Sequence, residues 1–162
     1  MTVHTECHCR GARLLGADIR RGGQVNVSAH YLVDRDGTIY RLMPETDMAR
    51  HCIGLNHAAI GVENVGDNDK LPLTDAQVKA DAALVRYLAG KYKIEYLIGH
   101  SEYRKMEGAK FSDGAPVFVE LDPKYRNQKP DPDPNFMKRV RELVRDLHIA
   151  GPSEATQAIS AN

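Results

Sequence analysis

The hydrophobic and polar positions of the chain first indicate a hairpin of two strands. Residues 25–33 read VNVSAHYLV and residues 38–43 read TIYRLM, and both segments are rich in β-branched and aromatic side chains. The turn between them, residues 34–37, ends in an Asp-Gly pair, which favours a tight connection between antiparallel strands. The pattern therefore predicts two paired strands in this part of the chain.

Two further short apolar segments predict buried strands. Residues 58–65 read AAIGVENV, and residues 94–98 read IEYLI and are followed by Gly99 and His100. Both segments are shorter than a typical helix and contain β-branched side chains, which favours strands over helices.

Two longer segments have the period of amphipathic helices. Residues 74–77, Thr-Asp-Ala-Gln, have the pattern of a capping box and predict a helix that ends at Gly90. Residues 136–148 predict a final amphipathic helix. The apolar stripe of this last helix contains Phe136, Val140, Leu143, Val144 and Leu147. A short helix is also predicted around residues 12–19.

The predicted order of elements is strand, helix, hairpin, strand, helix, strand, long loop and helix. This order predicts an α/β fold with a central mixed β-sheet flanked by helices. Residues 1–149 are expected to form a single domain, in which residues 99–135 are mostly loop. Residues 150–162 are expected to form a flexible tail.

The composition and charge of the chain argue against several classes of function. The 162 residues are 42% hydrophobic and 27% charged, which is typical of one soluble globular domain. The 22 basic residues balance the 22 acidic residues, and there is no tryptophan, so we expect no nucleic-acid partner. No apolar run approaches the roughly 20 residues of a membrane-spanning helix, and the N-terminus lacks the pattern of an export signal. We therefore expect no membrane insertion.

The three cysteines, Cys7, Cys9 and Cys52, are an odd number and do not form a disulfide framework. Cys7, His8 and Cys9 could each bind zinc, together with His4. Their spacing matches no closed structural zinc motif, because one residue separates the two cysteines and no second pair follows. An independent metal site here is the weaker interpretation.

Three other residues could form a zinc site. His4 ends a short β-prone stretch, His100 follows a predicted buried strand, and Asp131 lies in a proline-rich segment before the last helix. Two imidazoles and one carboxylate are a known ligand set of zinc sites that keep a fourth position open. The spacing alone leaves open that these are ordinary surface or core-edge residues.

Two charged residues could take part in catalysis. Glu63 lies in an apolar predicted strand, where a carboxylate is costly unless it is paired or used as a general base. By strand alternation it could equally face solvent. Lys129 precedes Asp131 by two residues in an extended segment, so both side chains could face one site, where an ammonium group would stabilise an oxyanion. The alternative for Lys129 is a solvated loop charge.

The order and spacing of several short motifs resemble those of one enzyme family. The motifs are HTE at 4–6, SAHYLV at 28–33, DGTIY at 36–40, ARH at 49–51, Asn56, AIGVE at 59–63, IGH at 98–100 and KPDP at 129–132. They are similar to those of the zinc-dependent N-acetylmuramoyl-L-alanine amidases of the type-2 family. That family includes phage lysozyme-amidases and is related to peptidoglycan recognition proteins. The resemblance covers residues 3–147.

The resemblance implies the fold of these amidases and of peptidoglycan recognition proteins. The implied activity is hydrolysis of the amide bond between N-acetylmuramic acid and L-alanine in peptidoglycan or muropeptides. One zinc ion per chain would be held by His4, His100 and Asp131. Glu63 would act as the base on the attacking water, and Lys129 would stabilise the tetrahedral oxyanion.

The resemblance also implies residues beside the substrate groove. His30, His51 and Asn56 match family positions near the groove and are predicted to contact substrate or to support the site. One departure leaves an alternative open: His4 directly precedes Thr5, where the family usually has one more residue between them. With a broken zinc site, the same fold would be a non-catalytic peptidoglycan-binding module.

A second departure concerns the third zinc ligand. Asp133 replaces the usual glycine of the family and is a rival to Asp131, since both carboxylates could reach one metal. The family pattern places the ligand two residues after the lysine, which selects Asp131.

The expected partner is peptidoglycan or a muropeptide, and we expect the protein to be a monomer. The resemblance implies the bacterial cell envelope as the site of action. A cytoplasmic recycling enzyme and a phage lysin are the alternatives.

Overall fold

The computed structural model of the protein describes residues 1–4, 28–67 and 69–153. The structural findings below refer to these residues. The helix predicted around residues 12–19 and the Cys/His cluster at residues 7–9 lie outside them, as does most of the predicted tail.

A five-stranded mixed sheet forms the centre of the described structure. Its strands are β1 (Thr2–His4), β2 (Tyr31–Val33), β3 (Ile39–Arg41), β4 (Gly61–Asn64) and β5 (Ile98–Gly99). Their spatial order is β3-β2-β4-β1-β5, in which β3 is antiparallel to β2 and the other neighbouring pairs are parallel. The predicted α/β class with a mixed central sheet is confirmed.

Strands β2 and β3 form the predicted hairpin, with Leu32 opposite Tyr40. In the turn, the Gly37 N–H donates to the Asp34 carbonyl at 2.9 Å. Gly37 has a φ of 88°, in the left-handed region that glycine adopts without strain. The local turn chemistry therefore accounts for the hairpin.

The strand predicted over residues 94–98 is shorter in the structure, where only Ile98–Gly99 pairs with β1. The Leu97 N–H donates to the Ala150 carbonyl at 3.0 Å, and the Ala150 N–H donates to the Glu95 carbonyl at 3.1 Å. Glu95 and Leu97 thus form backbone hydrogen bonds with Ala150 near the end of the described chain. The apolar pattern of residues 94–98 does not reveal this partner. Ala150, at the start of the predicted tail, is attached to the sheet.

Helix α1 (Asp75–Ala89) begins and ends where the sequence predicts. The Thr74 hydroxyl accepts the Gln77 N–H, and the side-chain carbonyl of Gln77 accepts the Thr74 N–H at 2.9 Å, which completes the capping box. The Gln77 side chain also donates to the carbonyls of Val33 and Val65 at 3.2 and 3.0 Å. One residue therefore caps the helix and fastens it to the sheet.

Helix α2 (Pro134–Leu143) ends earlier than the predicted segment 136–148, and a 3₁₀ helix follows at Arg145–Leu147. Met137 lies on the buried face of α2 and is 1% exposed. Leu143 lies at the opposite margin of that face and is 46% exposed, so its predicted place in the buried stripe is wrong.

The sheet carries a different apolar cluster on each face. Leu97 belongs to the cluster between the sheet and helices α1 and α2, whereas Ile98 belongs to a second cluster built from residues 52–55 and 103–118. Because successive residues of an extended segment point to opposite faces, the two clusters lie on opposite sides of the sheet. Within the described residues, no helix has the length and apolar character needed to cross a membrane.

Candidate active site

The carboxyl ends of three parallel strands meet at one edge of the sheet. β1 ends at His4, whose backbone lies opposite Glu63 of β4. β5 lies on the other side of β1 and leads directly into His100. The carboxyl edge of parallel strands is where α/β proteins usually form their sites. The fold thus brings the backbones of His4, Glu63 and His100 close together. For His4, the structure describes the backbone but not the side chain.

Glu63 shares its face of the sheet with a buried imidazole. Its neighbours Val62 and Asn64 are fully buried, whereas Glu63 is partly exposed with its Oε2 atom buried. Gly61 precedes Glu63 by two residues and lies on the same face. A Cβ atom at Gly61 would be 2.5 Å from the His51 ring, so only glycine allows this approach. Strand alternation left open that Glu63 faces solvent. In the structure, Glu63 does not lie on an open, fully solvated strand surface.

His100 and Asp131 form a buried pair. The His100 Nδ1 atom lies 3.2 Å from the Asp131 Oδ2 atom, and the two residues are 6% and 2% exposed. The Ser101 N–H also donates to the Asp131 carbonyl at 2.5 Å. Two predicted zinc ligands from separate segments of the chain are thereby in contact.

A 3₁₀ helix at His100–Met106 follows β5, where the sequence pattern predicts loop. The Glu102 carboxylate accepts the Gly99 N–H at 2.8 Å. Arg141 of α2 donates to this carboxylate and, at 3.1 Å, to the Leu97 carbonyl. The chain on both sides of His100 is therefore fastened to α2. An acidic residue three positions after Gly99 is the sequence signal that indicates this helix start.

The structure separates the two candidate aspartates. Asp131 is buried against His100. Asp133 is exposed, and its carboxylate accepts the Asn135 N–H at 2.8 Å as the N-cap of α2. The two side chains do not project towards one site, and the geometry favours Asp131 as the ligand candidate.

Cys52 lies within electrostatic reach of three predicted site residues. Burial, together with the charges of Asp131 and Glu63 and against that of Lys129, raises the pKa of its thiol to about 12. The charges of Glu63, Lys129 and Asp131 thus reach one buried thiol, as does that of the N-terminal amine. A thiol with this pKa stays protonated at neutral pH, so Cys52 is no nucleophile. Sequence reasoning did not place Cys52 near these residues, because a lone cysteine in a loop carries no positional signal.

His30 is 1% exposed, and backbone groups use both of its ring nitrogens. Its Nδ1 atom accepts the Gly61 N–H at 3.0 Å, and its Nε2 atom donates to the Asp47 carbonyl at 2.9 Å. The imidazole ties β4 to the loop after β3. This geometry favours the supporting role over substrate contact.

His51 and Asn56 hold the turn that carries Cys52. The Asn56 side-chain carbonyl accepts the N–H groups of His51 and Cys52, each at 2.8 Å. The His51 Nε2 atom donates to the Ala59 carbonyl at 3.1 Å, and burial lowers the pKa of the imidazole to about 3. His51 is therefore neutral at physiological pH. For His51 and Asn56, too, the geometry favours a role in supporting the site. Their contact with substrate stays a prediction.

The sequence matches one known family over most of its length. The sequence model of the family described as N-acetylmuramoyl-L-alanine amidase matches residues 2–115. The chain belongs to this amidase family. The resemblance carried by the short motifs is confirmed. The matched range includes His4, Glu63 and His100 and ends before the segment 129–134.

Two curated phage proteins are similar to part of this amidase-family chain. The endolysin of Escherichia phage T7 is 34% identical over 85 residues, which are 49% of this chain and 56% of that protein. The endolysin of Enterobacteria phage T3 is 33% identical over 85 residues, with the same shares of 49% and 56%. The chain thus spans about half the length of the curated relatives it matches.

Three solved structures share the amidase fold. The endolysin amidase LysCS from Clostridium intestinale URNW has a TM-score of 0.55 and 30% identity, over 64% of this chain and 68% of that chain. A selenomethionine derivative of AmpD has a TM-score of 0.58 and 27% identity, over 88% and 82%. The amidase LysC from the same Clostridium has a TM-score of 0.60 over 89% and 83%, and at 22% identity it supports the fold alone.

The buried pair has the spacing of two zinc ligands. Among the described side chains, which leave out that of His4, no three His, Cys, Asp or Glu residues form a metal-holding group. A tetrahedral zinc ion about 2.0–2.1 Å from each donor places two donors about 3.3 Å apart. The separation between His100 and Asp131 is 3.2 Å. These two residues of the amidase family member therefore fit zinc, with the backbone of His4 close by.

Proposed function

We propose that the protein is an N-acetylmuramoyl-L-alanine amidase that hydrolyses the bond between N-acetylmuramic acid and L-alanine in peptidoglycan or muropeptides. The observation that carries this proposal is the buried His100–Asp131 pair at the carboxyl edge of the sheet that also bears Glu63. Membership of the amidase family and the names of the phage relatives support the same reaction.

The residues that would hold one zinc ion are His4, His100 and Asp131. The spacing of His100 and Asp131 supports this set, and β1 places His4 beside the strand that leads into His100. When bound, zinc polarises the scissile carbonyl and lowers the pKa of water. The remaining work is done by side chains of the protein itself.

We assign the proton transfers to the Glu63 carboxylate. It takes a proton from the attacking water and returns one to the amine of L-alanine as the C–N bond breaks. The fully buried neighbours Val62 and Asn64 keep the strand, and with it the carboxylate, in place. Because the Cys52 thiol stays protonated, the reaction proceeds without a thioester intermediate.

We assign oxyanion stabilisation to the Lys129 ammonium group. Lys129 precedes Asp131 by two residues, and its charge reaches the Cys52 thiol as that of Asp131 does, which supports a place near the same site. A fixed positive charge aimed at the developing oxyanion is worth more in a partly buried site than in water.

We propose that the protein acts as a monomer on the bacterial cell wall, in the manner of a phage lysin. The two curated relatives are phage endolysins, which favours this setting. Recycling of soluble muropeptides in the cytoplasm is the alternative, and it predicts a preference for small fragments over intact wall.

The test is product release from two substrates. Purified protein is incubated with intact sacculi and with a soluble anhydro-muropeptide, and free stem peptide beginning with L-alanine is measured by mass spectrometry. We expect release by the wild type and by Glu142→Gln, an exposed change on α2, but not by Glu63→Gln. Binding to sacculi without release of peptide would contradict the proposal and identify a non-catalytic binding module.

A further inference from the structure

The segment that carries Lys129 and Asp131 is tied at both ends to one short helix. At its far end, the Asp131 carbonyl accepts the Ser101 N–H at 2.5 Å. At its near end, Asn127 is bonded to Tyr103. Ser101 and Tyr103 both belong to the 3₁₀ helix that begins at His100. Lys129 thus lies midway between two residues that are both hydrogen-bonded to the same 3₁₀ helix.

The support at Asn127 depends on a single hydroxyl group. The Tyr103 hydroxyl donates to the Asn127 carbonyl at 2.6 Å and accepts the Asn127 N–H at 3.0 Å. One side-chain atom therefore satisfies both backbone groups of the residue that lies two positions before Lys129. Tyr103 itself is 1% exposed. A buried phenolic hydroxyl needs hydrogen-bond partners, and the backbone of Asn127 supplies them.

The ring of Tyr103 is packed against a second aromatic ring. It stacks on Phe118, with ring centroids 6.4 Å apart and an angle of 22° between the rings. The Arg126 guanidinium lies 4.5 Å from the centroid of Phe118 on that ring. A Cβ atom at Gly54 would lie 2.3 Å from Phe118, so the Gly54 backbone packs closely against this ring. The Tyr103 ring is therefore buried in a tightly packed aromatic cluster.

We propose that Tyr103 is a positioning residue, whose hydroxyl fixes the backbone of Asn127 and thereby sets the distance of Lys129 from His100. The proposal rests on the proposed amidase function for its catalytic consequence. The contact between His100 and Asp131 has its own support from Ser101, so the hydroxyl controls the lysine rather than the metal ligands.

Tyr103→Phe removes the hydroxyl and keeps the packed ring. Asn127 is exposed, so water can satisfy its N–H and carbonyl groups and the variant should fold. We expect kcat to fall by roughly tenfold, because small misplacements of a catalytic group are costly, while KM and zinc affinity change less than about twofold.

Tyr96→Phe is the matched control. The Tyr96 hydroxyl also donates to a loop carbonyl, that of Lys110 at 2.7 Å, but it lies before β5, at the opposite end of that strand from His100. This variant should lose a similar hydrogen bond and keep its kcat. An equal loss of kcat in both variants would show a general effect of stability and overturn the proposal.

A double-mutant cycle with Lys129→Ala tests whether Tyr103 acts through the lysine. In the Lys129→Ala background, Tyr103→Phe should lower the remaining kcat by less than about twofold, since the group it positions is gone. A loss as large as in the wild-type background would contradict the positioning role.

Amide hydrogen exchange separates this proposal from the proposed function. In Tyr103→Phe, the Asn127 N–H should exchange at least about tenfold faster than in the wild type, with or without amidase activity. Unchanged exchange at Asn127 overturns the inference even in an active enzyme. If exchange at Asn127 is faster in the variant while the wild-type protein releases no stem peptide, the hydrogen bonds from Tyr103 stand and the amidase assignment is refuted instead.

Discussion

At the scale of single residues, burial divides the histidines of the site into two kinds. His30 and His51 use their ring nitrogens on backbone groups, as buried imidazoles must if their polar atoms are to be satisfied. His100 instead presents Nδ1 to the Asp131 carboxylate. In the sequence, all three are histidines near predicted strands or turns. The hydrogen-bond partners of each ring in the structure separate the two supporting histidines from the candidate zinc ligand.

Glu63→Gln should separate metal binding from chemistry. The amide keeps the shape of the side chain but cannot accept a proton at neutral pH, so turnover should fall on the order of a hundredfold or more. Zinc content, measured by mass spectrometry of the purified protein, should stay near one ion per chain. Loss of the metal would show that Glu63 is a ligand, and wild-type turnover would show that it takes no part in the reaction.

Asp131→Ala and Asp133→Gly should differ in zinc affinity. Asp131 is buried against His100, so its removal should weaken zinc binding by at least about tenfold. Asp133 caps α2 from the surface, and its replacement by glycine should cost only a few tenths of a kcal/mol of stability and leave zinc binding unchanged. Competition with a chelator of known affinity measures both. If Asp133→Gly weakened zinc binding and Asp131→Ala did not, Asp133 would be the ligand in place of Asp131.

At the scale of elements, α1 meets β4 through a buried polar pair. The Asn64 amide donates to the Asp81 Oδ2 atom at 3.0 Å, and Asp81 is 0% exposed. Burial raises the pKa of the Asp81 carboxyl from 3.8 to about 7, although the bond from Asn64 opposes the shift. The contact between this helix and the strand that bears Glu63 therefore involves a carboxyl group that is largely neutral in mildly acidic solution.

The raised pKa of Asp81 predicts a pH dependence of stability. Between pH 3.8 and about 7 the acid ionises in the unfolded chain but stays protonated in the folded protein, so the free energy of unfolding falls as the pH rises. Asp81→Asn cannot ionise and should lose less stability than the wild type between pH 5 and pH 8 in urea unfolding.

Asp75→Asn is the control for this measurement. The pKa of Asp75 is lowered below 3.8 by its bond to Arg139, so it is ionised at both pH values in both states. This variant should differ from the wild type by the same amount at pH 5 and pH 8. An Asp81→Asn variant that behaves in the same way would show that the Asp81 carboxyl does not change its protonation in this range.

At the scale of the whole molecule, a metal at the sheet edge would join segments that are distant in the sequence. His4, His100 and Asp131 come from the first strand, the end of the last strand and the segment before α2. A ligand that binds only the folded state raises stability by mass action, by about 2.7 kcal/mol at one hundred times its Kd. Zinc should therefore stabilise the fold as well as support the reaction.

Removal of zinc should lower both Tm and activity. The chelated protein should melt at a lower temperature and release no stem peptide, and one equivalent of zinc should restore both. His100→Ala is the control, since zinc should not raise the Tm of a protein that lacks this ligand. A Tm that does not respond to zinc in the wild type would contradict the assigned ligand set.

The sequence by itself determined the features that depend on neighbouring residues. The Asp-Gly turn specifies the hairpin of β2 and β3, and Thr74 with Gln77 specifies the start of α1, because their hydrogen bonds close within a few positions. The ordered motifs likewise sufficed to predict the amidase family, which the family match confirms.

Only the tertiary structure decided the features that depend on distant partners. The Ala150 carbonyl accepts the Leu97 N–H and the Ala150 N–H donates to the Glu95 carbonyl, in a segment that the sequence predicts as strand. Asp131 rather than Asp133 lies against His100. The clamp from Tyr103 to Asn127 joins residues 24 positions apart and leaves no local pattern. The physical reason is the same in each case: a hydrogen bond or a buried contact between remote segments exists only after the chain has folded, so no local period or motif encodes it.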